Sequence, residues 1–421
     1  MNKRKSFMLL AVGCSIILII VLIWYYYQFT GVIRVPQHYP TIQKAIDAAK
    51  PGDTILVSPG TYTETIFIEK DDLVLIGEDR NTTIIDGYKG VEPVTSGPVI
   101  FISANGVRIT GFTVRNSCRV CYGIYVHYSS NNSIYGNIIS ENNRGIHLYN
   151  CANVNVSNNI VANNTGVGIE IRYSRNVTLR DNEISGNKYN LGVWGFSLDQ
   201  FIHDIDVSNR VNGKPVYYWI NRANEIVPQD AGYVGAINCS NITIENMTFS
   251  NEGQGVSFAY TNSSTMKNIN SLNNWEGISL YYSFNNVIHN NTVSFNMQGL
   301  YMSRSSYNDV SLNSISQNTE DGIFLHFAQN NTFYTNTIKN NGNGLYVYGS
   351  FHNIFSRNNL LFNRDQIGEN IESENAWDDG YSGNYWSDYT GVDADGDGIG
   401  DTPYIIDDKN QDRYPLMKQH T

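Results

Sequence analysis

Apolar residues in this chain return at fixed offsets from a glycine that recurs every 22 or 23 residues: Gly123, Gly145 and Gly168, then Gly277, Gly299, Gly322 and Gly344. Offsets one and three carry Ile124 and Val126, Ile146 and Leu148, Ile169 and Ile171, Ile278 and Leu280, Ile323 and Leu325. Offset eleven carries Ile134, Val156, Leu179, Ile288, Val310, Phe333 and Phe355, and offset sixteen carries Ile139, Val161, Ile184, Val293, Ile315, Ile338 and Leu360. Alternation over a few residues, broken by turn residues, predicts short strands, and no run is long enough for a helix of this period. Three strands per repeat and a constant period predict an all-β solenoid, a parallel β-helix with coils of 22–23 residues.

Asparagine fills the positions between strands. It stands fourteen residues after each glycine (Asn137, Asn159, Asn182, Asn291, Asn313, Asn336, Asn358) and nineteen after (Asn142, Asn164, Asn187, Asn296, Asn318, Asn341, Asn363). A looser column falls eight or nine residues after (Asn132, Asn153, Asn176, Asn286, Asn308, Asn331, Asn353). Asn tolerates left-handed backbone and bonds to neighbouring main chain, so it suits corners. Stacked amides can also form ladders from coil to coil. These columns are therefore read as structure and not as a binding site.

The ends differ from the repeats. Ile42, Ala45, Ile46 and Ala49 share one helical face after Pro40, which predicts a short helix closing the N-terminal end of the core. Lys3, Arg4 and Lys5 precede an uncharged stretch from Phe7 to Tyr27 that ends in Trp24 and three tyrosines. Its length, aromatic end and basic tip predict a transmembrane helix with the N-terminus in the cytoplasm and the solenoid outside. Sequons of the N-x-S/T type, from Asn81 to Asn330, accord with an outside, glycosylated protein. The Gly step breaks between Gly192 and Gly255, where residues 201–235 depart from the coil pattern. They read as a protruding hairpin or irregular coil, or as a loop walling a groove. The expected organisation is a basic tip and anchor at 1–31, a cap with the first coils at 32–95, the solenoid at 96–370 with an insertion at 201–235, and a C-terminal cap at 371–421.

Net charge is −11 over 421 residues with basic residues scattered, which argues against nucleic acid as partner. Beyond Cys14 the cysteines are Cys118, Cys121, Cys151 and Cys239; outside the cell a pair of them can join as a disulfide. Cys118 and Cys121 form a lone C-x-x-C, and no second such pair completes a zinc site.

Three segments carry a resemblance. "YPTIQKAIDAAKPGDTILVSPGTYTETIFI" followed by "LVLIGEDRNTTIIDG" resembles the opening of right-handed, pectin-lyase-like β-helix proteins, NosD-like surface proteins among them and pectin esterases more distantly. "VNGKPVYYW" and, most specifically, "NYWSDYTG" with "DADGDGIGDTPY" resemble NosD-like proteins. The resemblance implies a right-handed coil. It also implies a copper-related role, since the family's namesakes assist maturation of the copper site of nitrous oxide reductase. Copper needs clustered His, Cys or Met, and the eight histidines are scattered, with His127 and His147 in adjacent coils the best pair.

The C-terminal Asp393, Asp395, Asp397 and Asp401, with Gly398 for the turn and the Ile399 carbonyl, match the spacing of a calcium loop up to its ninth position. Tyr404 stands where a bidentate Glu would close the shell, with Asp407, Asp408 or Asp412 as substitutes. A structural calcium there would lock the cap.

Strand positions two and four after each glycine point outward when one and three point in. They include Tyr125, Tyr149, Trp194, Phe196, Tyr281, Tyr301, Phe324, Tyr346 and Tyr348, an aromatic stripe expected along one sheet face. Such rings suit the C–H faces of sugars, and they equally suit cross-strand stacking. Glu170 and Arg172 sit on the stripe with His147 one coil earlier, the only candidates for acid/base work on a uronic-acid polymer; as a plain ion pair they need no function. The active-site patterns of pectin hydrolases and esterases are absent. The leading expectation is a non-enzymatic, membrane-anchored surface protein that binds carbohydrate or acts as a scaffold. The alternatives are a polysaccharide lyase, esterase or hydrolase, and a copper accessory protein.

Overall fold

The computed structural model describes residues 32–87 and 97–420. The expected anchor, residues 7–27, lies outside them; among the described residues no helix is long and apolar enough to cross a membrane. The chain is an all-β parallel solenoid of about 16 turns. In one coil the strands Tyr122–His127, Ser133–Tyr135 and Ile138–Ser140 face three ways, and each pairs in parallel with its counterpart 22 or so residues on.

The helix runs Ile42–Ala48, with Ile42, Ala45 and Ile46 buried and Thr41 accepting from the Lys44 N–H. Both Glu64 oxygens take the N–H groups of Ile42 and Gln43, and Lys70 Nζ takes the carbonyls of Ile46, Asp47 and Ala49. The helix thus closes the core while its own orphan groups are satisfied.

The Asn columns are buried ladders. Asn291 Nδ2 donates to Asn313 Oδ1 at 2.9 Å, Asn313 to Asn336 at 2.9 Å, Asn336 to Asn358 at 3.0 Å and Asn358 to Asn384 at 2.8 Å. Each Oδ1 also accepts the backbone N–H of the preceding rung, as between Asn291 and Asn313 at 3.0 Å. The looser column is two columns: Asn132, Asn286, Asn308, Asn331 and Asn353 point in, whereas Asn153 and Asn176 are exposed and Val154 and Val177 take the inner place. Beyond Gly255 two of the ladders end in the C-terminal cap, on Asp412 and Asn410, and the third ends on Gln366.

The solenoid expected at 96–370 runs as two stretches, a first and a second solenoid, each with its own core. The segment 201–235 is the joint between them rather than a protrusion. Arg210–Val211 closes the last coil of the first solenoid and pairs antiparallel with Lys214–Ile220, which pairs in parallel with Tyr233–Ile237, and each later Gly strand pairs in parallel with the one before it. One 15-stranded sheet therefore runs through both solenoids, and its strands reverse direction at residues 210–215. With right-handed winding kept on both sides of the reversal, the core must move to the opposite face of that sheet. The burial shows this. Val216, Tyr218 and Tyr233 face the first core, while Trp219, Val234 and Ala236 face a second, separate core.

Candidate functional site

Because the second solenoid is stepped sideways, the outer face of its first Gly strands meets the last Gly strand of the first, Tyr189–Trp194. That strand ends its sheet and would expose unpaired main chain. Side chains from the second solenoid finish it: Glu252 accepts the Leu191 N–H and Gln254 accepts the Val193 N–H. Gly253 approaches Gly192 so closely that a Cβ on Gly253 would lie 2.5 Å from the Gly192 Cα. Trp194 Nε1 donates to Glu276 Oε1 at 2.9 Å, and Ser279 and Tyr281 hydroxyls occupy the same carboxyl. Burial raises the pKa of Glu276 and pushes that of Glu252 well above the usual carboxylate range.

The corner so formed gathers the sequence candidates. Parallel register puts His147 beside Glu170 and Arg172 beside Trp194. Glu170 is 0 % exposed. Arg172 Nε donates to its Oε1 at 2.5 Å and Arg144 Nη1 to its Oε2 at 3.1 Å. His147 Nδ1 lies 3.0 Å from Oε2 but is poorly aligned for a hydrogen bond. Burial alone would raise the Glu170 carboxyl, yet His147, Arg144 and Arg172 hold it down at about 2. Glu170 is thus an ionised anchor for two guanidinium groups, with both oxygens engaged and no surface to offer a substrate. Arg144 and Arg172, with side chains 28 % and 25 % exposed, were only half foreseen, since Arg144 precedes its coil's glycine and lies outside the outward positions. Trp275 and Glu276 escaped the sequence reading for the same reason.

The aromatic stripe is not one face. Tyr125 and Tyr149 lie on the first solenoid, in contact with His147 and His127. Trp194 and Tyr281 are buried in the corner. Phe196 is 61 % exposed and stacks on Tyr173 at 4.6 Å. Tyr301, Phe324 and Tyr346 form a half-buried stack on the second solenoid, with centroids 5.3 and 4.9 Å apart, and Tyr348 stacks on His326. A further aromatic column went unread. Five residues after the coil glycine stand Tyr128, Tyr173, Tyr260, Tyr282 and Phe327, all at positive φ of 47–53°. A side chain there costs roughly 1–2 kcal/mol that Gly or Asn avoids, and Asn150 occupies the same column in one coil.

Carboxylates of Asp393, Asp395 and Asp397 have ligand atoms within 4.8 Å of one another. Asp401 instead accepts the Ala394 N–H, and Ile399 bridges to Leu416. Asp407 holds Asn410, and Asp412 holds Asn384 and Trp386 at the end of a ladder; these two are committed elsewhere. For copper, Cys118 and Cys121 are joined as a disulfide, and Cys151 and Cys239 are buried apart, each against backbone carbonyls. Among the described residues no three His, Cys, Asp or Glu converge except that Asp triad, and an all-carboxylate set is not the His, Cys or Met set that copper prefers.

A family model described as "Periplasmic copper-binding protein (NosD)" matches residues 46–197 and 203–391. The chain belongs to the NosD family. Its membership supports an extracytoplasmic location. The gap in the match falls at the joint, just after Trp194. No curated protein matches. Among solved structures, the A-module of Azotobacter vinelandii mannuronan C-5 epimerase AlgE6 is 14 % identical, with 80 % of this chain and 94 % of that one covered and a TM-score of 0.34. DFA-IIIase from Arthrobacter chlorophenolicus A6, without its lid and in complex with GF2, is 12 % identical over 79 % and 94 %, with a TM-score of 0.37. These likenesses are of architecture.

Proposed function

We propose that this NosD-family protein is a non-enzymatic carbohydrate-binding β-helix held outside the membrane by residues 7–27, with its ligand contacts centred on the corner between the solenoids. The observation that carries the reading is the column of aromatics in left-handed backbone. Tyr173 accepts a conformational cost that Asn would not, and it does so at the rim of the corner, where its ring meets Phe196. Strain that a fold does not need points to use of the side chain. The stack Tyr301, Phe324 and Tyr346 extends the same apolar, flat-ringed surface along the second solenoid, which suits sugar faces. The burial of Glu170 favours binding over hydrolysis, lysis or ester cleavage. The Asp loop is read as a structural calcium turn of the C-terminal cap.

The test is a glycan-array screen of the purified protein, with turnover assays on each hit, beside Tyr173→Asn. The variant should fold as well as the parent, because Asn fits this column, and should bind about tenfold more weakly. Equal binding by the variant removes the corner from the reading, and product formation on a hit replaces binding by catalysis.

A further inference from the structure

We propose that the corner selects a carboxylated sugar, a hexuronate residue within a glycan, through the free edges of Arg144 and Arg172 over Trp275. The inference rests on the carbohydrate reading above and names its ligand class. Three observations carry it. First, two guanidinium groups share one buried carboxylate, so the cluster of Arg144, Arg172 and Glu170 keeps an excess positive charge in a chain of net charge −11. Second, each Arg is only partly engaged. Arg172 uses Nε on Glu170 and Arg144 uses Nη1. Both Nη atoms of Arg172, and Nε with Nη2 of Arg144, have no partner among the described residues. A free fork edge of this kind matches a carboxylate with two parallel hydrogen bonds. Third, the forks share an aromatic surround: the Trp275 ring lies 5.8 Å from the Arg144 guanidinium carbon and 5.5 Å from that of Arg172, with the Tyr122 ring 5.5 Å from Arg144 and the Trp194 ring 4.6 Å from Arg172. Glu276 does not compete, because both its oxygens are taken by Trp194, Ser279 and Tyr281.

A cleft of about 290 Å³ lies nearby, reached from Trp275 through Tyr189. Tyr189, whose ring lies 5.7 Å from Trp275, lines it together with the exposed Lys188. A second acidic residue of a chain lying across the corner would meet that ammonium. Glu170 acts here as a positioning residue: it fixes both forks without touching the ligand.

The experiment is calorimetric titration of the full-length protein with oligogalacturonate and oligomannuronate, and with the methyl esters of the same oligomers. Arg144→Lys is titrated in parallel, since it keeps a cation beside Glu170 but loses the fork; thermal unfolding confirms that it folds. Expected are binding of at least one uronate series, loss of about tenfold or more on esterification, weakening with salt, and a drop of about tenfold in Arg144→Lys. Equal affinity for acid and ester, or an unchanged Arg144→Lys, overturns the inference. Binding only to neutral glycans on the array overturns it while leaving the carbohydrate reading intact, and silence toward every glycan overturns both.

Discussion

Replacing Glu170 by Gln removes the charge that holds the corner's two arginines, and its cost follows from the ionisation of the carboxyl. The group sits at about 2 against an ordinary 4.5. At roughly 1.4 kcal/mol per unit, that depression is worth about 3 kcal/mol of folding stability at neutral pH. The sign is that of a carboxylate favoured by folding: the contribution is complete above the unfolded value and is lost as pH falls from about 4.5 toward 2. Glu170→Gln should therefore unfold about 3 kcal/mol more easily at pH 7, and the gap should narrow to under about 1 kcal/mol near pH 2.5. Glu252 and Glu276, whose raised values make their contributions fade as pH rises, are present in both proteins and largely drop out of the difference. Urea denaturation followed by far-UV circular dichroism at a series of pH values measures it. A gap that stays constant across pH, or one below about 1 kcal/mol at pH 7, refutes the argument that His147, Arg144 and Arg172 together hold an ionised, buried Glu170.

Asn313→Ala deletes donors and acceptors bonded to Asn291, Ile288 and Asn336, and should cost about 3–5 kcal/mol, at about 1–3 for each buried group left unmet. Asn290→Gly, at an exposed left-handed position whose side chain bonds only Asn268 among the described residues, should stay within about 0.5 kcal/mol of the parent, and the same denaturation assay compares the two. Gly253→Ala should separate the solenoids at the Gly192 contact, lowering stability by about 1–3 kcal/mol and weakening glycan binding in titration. Millimolar calcium should raise the melting temperature of the parent and leave Asp395→Asn unmoved; no shift in the parent removes calcium from the cap.

The coil was legible because its physics is local. Ile146 and Leu148 go in and Asn159 turns the chain whatever happens elsewhere, so the period alone specifies strands, corners and ladders. The helix was legible for the same reason, from Pro40 and four apolar residues. The joint depends on a reversal of strand direction, which leaves no periodic trace. The broken Gly step after Gly192 marks its place but not the reversal, and the further signal is composition: in Lys214–Ile220, the run Val216, Tyr217, Tyr218 and Trp219 has no polar alternate, as befits a strand with apolar surroundings on both faces. The site followed the joint into obscurity. His147, Glu170 and Arg172 share neighbouring strands and were readable together, whereas Trp275 and Glu276 reach them only because a second solenoid is folded across the first.

The shared sheet also separates length from recognition. Each coil adds about 4.8 Å to a stack, and coils after Tyr301 lie beyond the corner. A duplication or loss of one repeat between Gly322 and Gly344 would move the C-terminal cap nearer or farther while leaving Arg144, Arg172 and Trp275 where they are. The second solenoid can thus serve as an adjustable spacer, its reach free to drift among relatives, while one added coil between His147 and Trp194 would dismantle the corner outright.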